Sequence, residues 1–211
     1  MATLTTTIFT PNTSGAGTKL AANLIAARDA MREDGMTADV ISLVGGGAPG
    51  EMGLGVEYAD GKAYAEALSK GPGPALSAFQ EGMTPSDSKP SRQTTWIDLP
   101  GHEVVSADLP RGCIQATMIR ATPGHLSGAV ENIVKAKSLM TQLGGKVRIM
   151  SAFLTEMPGL FNLNVHHESP DAWYEFNTAL WASEEWRSYY GKGINPGASE
   201  MIRRVGWMVA P

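Results

Sequence analysis

The chain has 211 residues, of which 43% are hydrophobic and 18% charged, and its formal net charge is −4. This composition is typical of a globular protein of one or two domains and excludes an intrinsically disordered chain. The acidic balance and the lack of a lysine or arginine cluster argue against a nucleic-acid partner, because phosphate binding needs concentrated positive charge. No apolar run approaches the roughly 18–20 residues of a membrane span, so we expect no membrane partner.

The N-terminal residues and the cysteine content predict a cytoplasmic protein. Residues 1–10 lack the charged region and the apolar region of a signal peptide. The chain contains 11 methionines and a single cysteine, Cys113, which cannot form an internal disulfide. This composition fits a reducing compartment.

Hydrophobic periodicity predicts six elements in the first half of the chain. Residues 3–10 alternate threonine with apolar side chains, which indicates a strand. Leu20, Leu24 and Met31 fall at helical spacing, and Gly35 ends that helix. In chain order the predicted elements are a strand at 3–10, a helix at 19–34, strands at 40–44 and 52–58, a helix at 61–70 with a continuation at 75–82, and a strand at 94–99.

The second half repeats this order with clearer signals. Ser169, Pro170 and Asp171 form a strong helix start, with a serine N-cap, a proline at the first helical position and an acid in the first turn. Ser183 begins a further helical turn by the same logic. The remaining predicted elements are strands at 114–120, 147–154, 160–168 and 202–209 and a helix at 126–143.

The two halves are also similar in sequence. A shift of residues 23–66 by 109 positions places them on 132–175, without a gap, with about eleven identities, against about three expected by chance. We interpret this as a tandem duplication. The fold class is predicted as α+β, with two ferredoxin-like β-α-β-β-α-β units at 1–100 and 113–211 joined by a connector at 101–112. Each unit leaves one sheet face bare, so the two units are expected to form an intramolecular dimeric α/β barrel.

The order of elements, together with the segment Asn164-Val-His-His-Glu-Ser-Pro-Asp-Ala-Trp173, resembles the dimeric α/β-barrel superfamily. That group contains stress-responsive barrel proteins, NIPSNAP-type proteins and antibiotic-biosynthesis-monooxygenase-like domains. The resemblance implies activities that range from cofactor-independent oxygenases and isomerase-like proteins to haem-degrading enzymes. It also implies haem as a minor possibility, although the Asn, Trp and His residues of this chain do not match the haem-degrading pattern by position.

Strand 160–168 contains the main candidate site. Because side chains alternate along a strand, Asn162, Asn164, His166 and Glu168 share one face, and His167 lies on the other face. The polar face predicts a cavity lining, in which Asn162 and Asn164 orient a substrate and either His166 or His167 transfers a proton. The alternative is a solvated strand end or a histidine satisfied in an interface. Spacing indicates no third histidine ligand, so we expect no dedicated metal.

Aromatic residues crowd into positions 173–190. Trp173 is expected to shape the wall of the cavity, and Trp186 and Tyr189 are further candidates for substrate contact, because aromatic groups with polar tips often line pockets or interfaces. Core packing is the alternative for all three. The sequence therefore predicts a protein that binds a small apolar or aromatic molecule, with a cofactor-independent oxygenase or isomerase-like activity implied only by the resemblance. A non-catalytic stress-response or interaction protein, which forms homo-oligomers through its aromatics, is the rival hypothesis.

Overall fold

The computed structural model describes residues 1–13, 15–71, 73, 77, 87–155, 157–193 and 197–211, with the side chains of 192 and 193 left out. The described chain forms two compact units. One contains Met1–Ile97 and Met208–Pro211, and the other contains Asp98–Trp207. The helical continuation predicted at 75–82 lies outside the described residues, apart from Ser77.

The first unit has the strand order of a ferredoxin-like fold. Its elements are β1 (Thr3–Pro11), α1 (Ala16–Glu33), β2 (Thr37–Gly45), β3 (Met52–Tyr58), α2 (Gly61–Ser69) and β4 (Ser88–Asp98). The sheet order is β4-β1-β3-β2, and β1 is antiparallel to both β3 and β4. Strand β4 begins six residues before its predicted start, since pairing with β1 extends the strand through a polar stretch that has no apolar alternation.

The second unit repeats this topology. Its elements are β5 (Cys113–Ala121), α3 (Leu126–Gln142), β6 (Lys146–Leu154), β7 (Leu160–His167), α4 (Pro170–Ala182), α5 (Glu184–Ser188) and β8 (Ser199–Val209). The sheet order is β8-β5-β7-β6. The predicted N-caps are both present, because Ser169 Oγ accepts a hydrogen bond from Ala172 N and Ser183 Oγ accepts one from Trp186 N.

Each unit has its own hydrophobic core between its sheet and its helices. In the first unit, α1 contributes Leu20, Leu24 and Met31, which pack against Val40 and Leu54 of the sheet. In the second unit, helices α3 and α4 cover the sheet through residues that include Ile133, Met140, Phe176 and Leu180. Across the described residues there are eight strands and five helices, so the predicted α+β class and element order are confirmed. None of the described helices is long and apolar enough to cross a membrane.

Candidate functional site

Strand β7 carries most of the residues predicted for a site, and its alternation divides them between the two faces of the sheet. Three apolar residues of β7 pack in the core beneath the helices: Phe161, Leu163 and Val165. His167 therefore points to the helix side, and Asn162, Asn164 and His166 point to the opposite side. The predicted division into two faces is confirmed, and it separates the two candidate histidines by the thickness of the sheet.

His167 lies at the end of β7, between the sheet and α4. Its side chain is 5% exposed, and its ring centroid lies 5.2 Å from that of Phe176. Its Nε2 is buried and has no hydrogen-bond partner among the described residues. Burial lowers the pKa of His167 from its ordinary value to about 4, so the imidazole is neutral at physiological pH. A neutral imidazole presents one nitrogen that can accept a proton.

Gln115 on β5 adds a second unpaired polar group on the helix side. Its Oε1 accepts a hydrogen bond of 2.8 Å from the indole Nε1 of Trp173, whereas its Nε2 is buried without a partner in the described part of the chain. Gln115 pairs with Val165, and Cys113 pairs with His167. Gln115 and His167 are therefore diagonal neighbours on one face, about 7 Å apart.

The unpaired atoms of Gln115 and His167 make this region a candidate for binding a ligand or an ordered water. A buried polar group without a partner costs about 1–3 kcal/mol, and two such groups are a substantial fraction of a typical folding free energy of about 5–15 kcal/mol. Native proteins normally satisfy such groups with a ligand or an ordered water. The region between α4 and the sheet is thus the candidate functional site.

Strand β8 brings two further features to the helix side. The Trp173 ring rests directly on the backbone of Gly206, where any Cβ would overlap the indole. Because side chains two residues apart share a face, Arg204 also points to this side. Burial lowers the pKa of Arg204, and Tyr190 acts in the opposite direction. Arg204 is thus a partly desolvated cation about 7 Å along the strand from the position beneath Trp173.

Trp186 and Tyr189 lie deeper in the core of the second unit. The Tyr189 hydroxyl donates a 2.7 Å hydrogen bond to the carbonyl oxygen of Asn132, and burial raises the pKa of Tyr189 to about 12. The two rings contact each other at a centroid distance of 5.5 Å, and both belong to the core cluster beneath the helices. The geometry gives them a packing role, and their predicted contact with a substrate stays a prediction.

Asn162 and Asn164 form a second unpaired group, on the face turned away from the helices of this unit. They are 5% and 8% exposed, respectively. Both Oδ1 atoms are buried without a hydrogen-bond partner in the described chain. His166 continues this row and is half-buried, with Nδ1 3.3 Å from the carbonyl oxygen of Pro110. Glu168 lies beyond the end of β7 and is exposed, so it does not extend the row as predicted.

A buried ion pair borders this row. Arg148 on β6 is the cross-strand neighbour of Asn164. Its Nε and Nη2 donate hydrogen bonds of 2.7 and 3.2 Å to the two carboxylate oxygens of Asp98, and its Nη1 donates one of 2.9 Å to Ser106 Oγ. The Arg148 charge is therefore neutralised by a bidentate partner.

The described residues contain no group of three or more His, Cys, Asp or Glu side chains that could hold a metal ion. Cys113 is buried, its Sγ donates to the Ser169 carbonyl oxygen at 3.2 Å, and burial raises the pKa of its thiol. Haem needs an axial ligand with open space for the macrocycle. The Nε2 atoms of His166 and His167 are both enclosed, so neither histidine fits as a haem ligand in this arrangement.

Solved structures with a similar fold cover the whole chain. They include a candidate monooxygenase from Fusobacterium nucleatum (9% identity, TM-score 0.68, 100% of this chain and 93% of that one). An anthrone oxidase-like protein matches at 14% identity and a TM-score of 0.59, over 100% and 92% of the two chains. A haem-binding protein from Thermus thermophilus matches at 11% identity and a TM-score of 0.55, over 100% and 91%. Chlorite dismutases also share this fold.

These likenesses concern the fold, because identities of 8–14% do not carry function across. No family model matches the chain, and no curated protein matches it. The residues of the second unit are therefore the basis for the proposed function.

Proposed function

We propose that the second unit binds a small, largely apolar aromatic molecule between α4 and its sheet, and that His167 accepts a proton from it. The observation that supports this proposal is the pair of unpaired polar atoms, Gln115 Nε2 and His167 Nε2, buried on one face of the sheet. Trp173 forms the wall of the site and holds Gln115 in place. Gln115 Nε2 then donates to a carbonyl or hydroxyl oxygen of the bound molecule.

The pKa of His167 restricts the substrate to one with an acidic proton. A base with a pKa of about 4 that removes a proton from a phenol-like group, with a pKa near 10, works against about 8 kcal/mol. Attraction between the imidazolium and the new anion at about 4 Å recovers about 4 kcal/mol. The Arg204 charge adds to this stabilisation if the anion extends toward β8. Phenols and enolisable aromatic ketones meet these requirements, whereas simple hydrocarbons do not.

The anion then follows one of two courses that need no bound cofactor. In an isomerase, the proton returns from His167 to another atom of the substrate. In an oxygenase, the carbanion form of the substrate transfers electrons to molecular oxygen, so that one oxygen atom enters the substrate as a carbonyl group at the acidic carbon and the other leaves as water with the two hydrogen atoms of that carbon. The names of two structures of similar fold, a candidate monooxygenase and an anthrone oxidase-like protein, support the second course. We therefore propose a cofactor-independent oxygenase first and an isomerase second.

Anthrone, an aromatic ketone with an acidic C–H, is a direct probe. We expect it to quench the fluorescence of Trp173 and to cause oxygen consumption that depends on the protein. His167→Asn should abolish oxygen consumption while anthrone still binds. Gln115→Leu should weaken binding about tenfold, the equivalent of one hydrogen bond of about 1.4 kcal/mol. The rate should fall as the pH drops through about 4, where His167 becomes protonated.

His166→Asn is the matched control, because it changes the neighbouring histidine on the opposite face of β7. Its anthrone affinity and its oxygen consumption should equal those of the wild type. Equal rates for wild type and His167→Asn would remove His167 as the base. A haem titration belongs to the same experiment, and a Soret band that His167→Asn eliminates would replace the cofactor-independent proposal with a haem protein.

The second candidate function is a non-catalytic interaction protein that forms a homo-oligomer. One observation favours it: within the aromatic segment 173–190, three rings remain exposed, with Tyr174 75%, Trp181 43% and Tyr190 44% exposed. Trp181 and Tyr190 contact each other at a ring-centroid distance of 5.4 Å. Light scattering after gel filtration tests this alternative. A dimer that becomes a monomer on Trp181→Ser, together with no response to anthrone, would support the interaction protein over the enzyme.

We propose that the two units arose by tandem duplication, with boundaries at 1–100, 101–112 and 113–211, and that they form an intramolecular barrel of the NIPSNAP and monooxygenase-like type. We also propose that the protein works in the cytoplasm. The matched strand orders support the duplication, and the single, buried and reduced Cys113 supports the compartment.

A further inference from the structure

The face of the second sheet that is turned away from its helices carries an unusual pair of side chains. Asn162 and Asn164 are both more than nine-tenths buried. The Oδ1 atom of each carboxamide is fully enclosed and accepts no hydrogen bond from a described residue. Because they are two residues apart on one strand, the two groups point the same way and lie about 6.6 Å apart.

The neighbours of this pair define the chemistry of the space in front of it. Asn162 lies between Met118 on β5 and Met150 on β6, and both methionines are buried. Asn164 lies between Ala116 on β5 and Arg148 on β6. The alanine leaves room beside the Asn164 carboxamide, and the two thioethers offer a soft, polarisable surface of the kind that contacts flat rings.

The charges close to Asn162 and Asn164 favour a neutral ligand. The guanidinium of Arg148 is already held by both oxygens of Asp98, so the pair carries no net charge into this face. An ionic ligand would have to enter a buried region in which the described charges of Arg148 and Asp98 already neutralise each other. A neutral molecule needs only hydrogen bonds, and each carboxamide offers one donor edge beside one acceptor edge.

We propose that Asn162 and Asn164 form a second binding site, distinct from the one under α4, for a small, neutral, flat molecule with adjacent N–H and C=O groups, such as a lactam or an imide. A side-chain carboxamide pairs with such an edge through two parallel hydrogen bonds, as asparagine does with a nucleobase edge. The Met118 and Met150 side chains cover the apolar part of the ring. This site stands on its own residues and does not depend on the proposed oxygenase activity.

The experiment uses the full-length protein and a pair of matched probes, with affinities measured by calorimetry after equilibration. 2-Pyridone is a lactam with adjacent N–H and C=O groups, and N-methyl-2-pyridone keeps the ring and the carbonyl group but has a methyl group in place of the N–H donor. We expect 2-pyridone to bind at least tenfold more tightly than its methylated analogue. Asn162→Leu and Asn164→Leu should each weaken 2-pyridone binding at least tenfold without lowering the melting temperature, because each removes an unpaired polar group.

His167→Asn separates this site from the one under α4. It should leave 2-pyridone affinity unchanged while abolishing anthrone turnover, and Asn164→Leu should do the reverse. Equal affinity for both pyridones, or 2-pyridone affinity that neither leucine variant changes, would overturn the second site. A lowered melting temperature in both leucine variants would also overturn it, since the carboxamides would then serve the fold. The comparison of the two pyridones on the wild type needs no variant and decides the question even where a variant fails to fold.

Discussion

The two units place different chemistry at positions that the 109-residue shift matches. On the helix side, Tyr58 and Tyr64 of the first unit correspond to His167 and Trp173 of the second. The two tyrosine rings contact each other at 5.3 Å in an edge-on arrangement. Two neighbouring phenol rings in the first unit therefore occupy the positions that an imidazole and an indole occupy in the second unit.

The hydrogen bonds of these matched positions also differ. The Tyr64 hydroxyl is 3.3 Å from Thr95 Oγ1, which is in turn 3.3 Å from Thr5 Oγ1. Thr5 is the cross-strand partner of Val56, as Gln115 is of Val165 in the second unit. The first unit links these hydroxyls to one another, although the nearby Thr3 hydroxyl lacks a partner among the described residues. In the second unit, the matching residues leave Gln115 Nε2 and His167 Nε2 unpaired.

The opposite faces of the two sheets show the same contrast. Gly53 and Gly55 of the first unit match Asn162 and Asn164. A Cβ placed on Gly53 would lie 2.8 Å from Ile8 Cδ1 and 2.9 Å from Ile41 Cγ1. Apolar side chains therefore fill the space that a carboxamide occupies in the second unit. The two units share one topology, but apolar side chains fill this space in the first unit, whereas the second unit has unpaired polar groups on both faces of its sheet. We therefore propose both binding sites in the second unit.

The largest effect of a substitution on stability is expected at another matched position. There, a buried charge in the second unit corresponds to a partly exposed charge in the first unit. Arg148 and Asp98 are 4% and 1% exposed, whereas the matched Asp39 pairs with Arg32 at 29% and 38%. Asp98→Ala should reduce the free energy of unfolding by about 3–5 kcal/mol, because it removes the carboxylate that neutralises the buried Arg148 charge. Asp39→Ala should cost at most about 1 kcal/mol. Urea unfolding of both variants measures the difference, and equal losses would contradict it.

The next largest effect is a dependence of the stability on pH, which we expect from His167 in the second unit and not from its matched residue in the first. The pKa of His167 is about 4 in the folded protein and about 6.5 in the unfolded chain. The unfolded state therefore binds the extra proton first, and the wild type should lose up to about 3 kcal/mol of stability as the pH falls from 6.5 to 4. His167→Asn should lack this loss. The matched Tyr58, whose pKa is raised by burial and by Tyr64, does not titrate in this range.

The control for the pH series is His125→Asn, because His125 is exposed at the start of α3. The stability of this variant should follow that of the wild type between pH 4 and 7. A wild type and a His167→Asn variant with parallel curves would show that His167 is as hydrated as an ordinary histidine. It would also weaken the proposal that this residue remains a neutral base.

A third prediction tests how tightly the side chains of the first unit pack around Gly53. Gly53→Ala should cost about 1–3 kcal/mol, because its new methyl group overlaps Ile8 and Ile41. Gly55→Ala is the matched control two residues along β3. Its Cβ would come no closer than 3.6 Å, to Leu4 Cδ1, so it should be neutral or stabilising by about 0.5 kcal/mol. Chemical unfolding of the two variants compares them, and a neutral Gly53→Ala would reveal spare room in the first unit.

Local patterns were sufficient to predict the elements and the two faces of β7. The period-2 rule placed Asn162, Asn164 and His166 on one face and His167 on the other. The capping chemistry of Ser169 and Ser183 located two helix starts correctly. These predictions succeeded because each depends on neighbours within a few residues in the chain.

The contacts that decide the site are not local, and the sequence held only one indirect signal for them. Gln115 and Trp173 are bonded across 58 residues, and Asp98 and Arg148 across 50. In the sequence, Gln115 cannot be distinguished from a surface glutamine of an alternating strand. Only the fold brings the indole of Trp173 close to it. The 109-residue shift provided that signal, because it aligns Trp173 with Tyr64, whose own partner is also a polar side chain of the sheet.

The smallest effect concerns the two matched helix caps, Asp60 of α2 and Ser169 of α4. Each cap oxygen accepts a hydrogen bond from a backbone amide, at 2.8 Å from Ala63 and at 3.1 Å from Ala172. Loss of either cap should cost about 1 kcal/mol in its own helix, but the two losses should appear in different measurements. Helix α2 has no buried residue, so Asp60→Ala should speed hydrogen exchange within α2 and leave global unfolding nearly unchanged.

Helix α4 is anchored by the buried Phe176 and Leu180, so it cannot unfold without opening the core of the second unit. Ser169→Ala should therefore lower the global free energy of unfolding by about 1 kcal/mol and leave local exchange in α4 slow. If Ser169→Ala instead speeds exchange only within α4, that helix opens on its own. The site beneath Trp173 would then be reached by local opening of α4, and anthrone should slow that exchange in proportion to its occupancy.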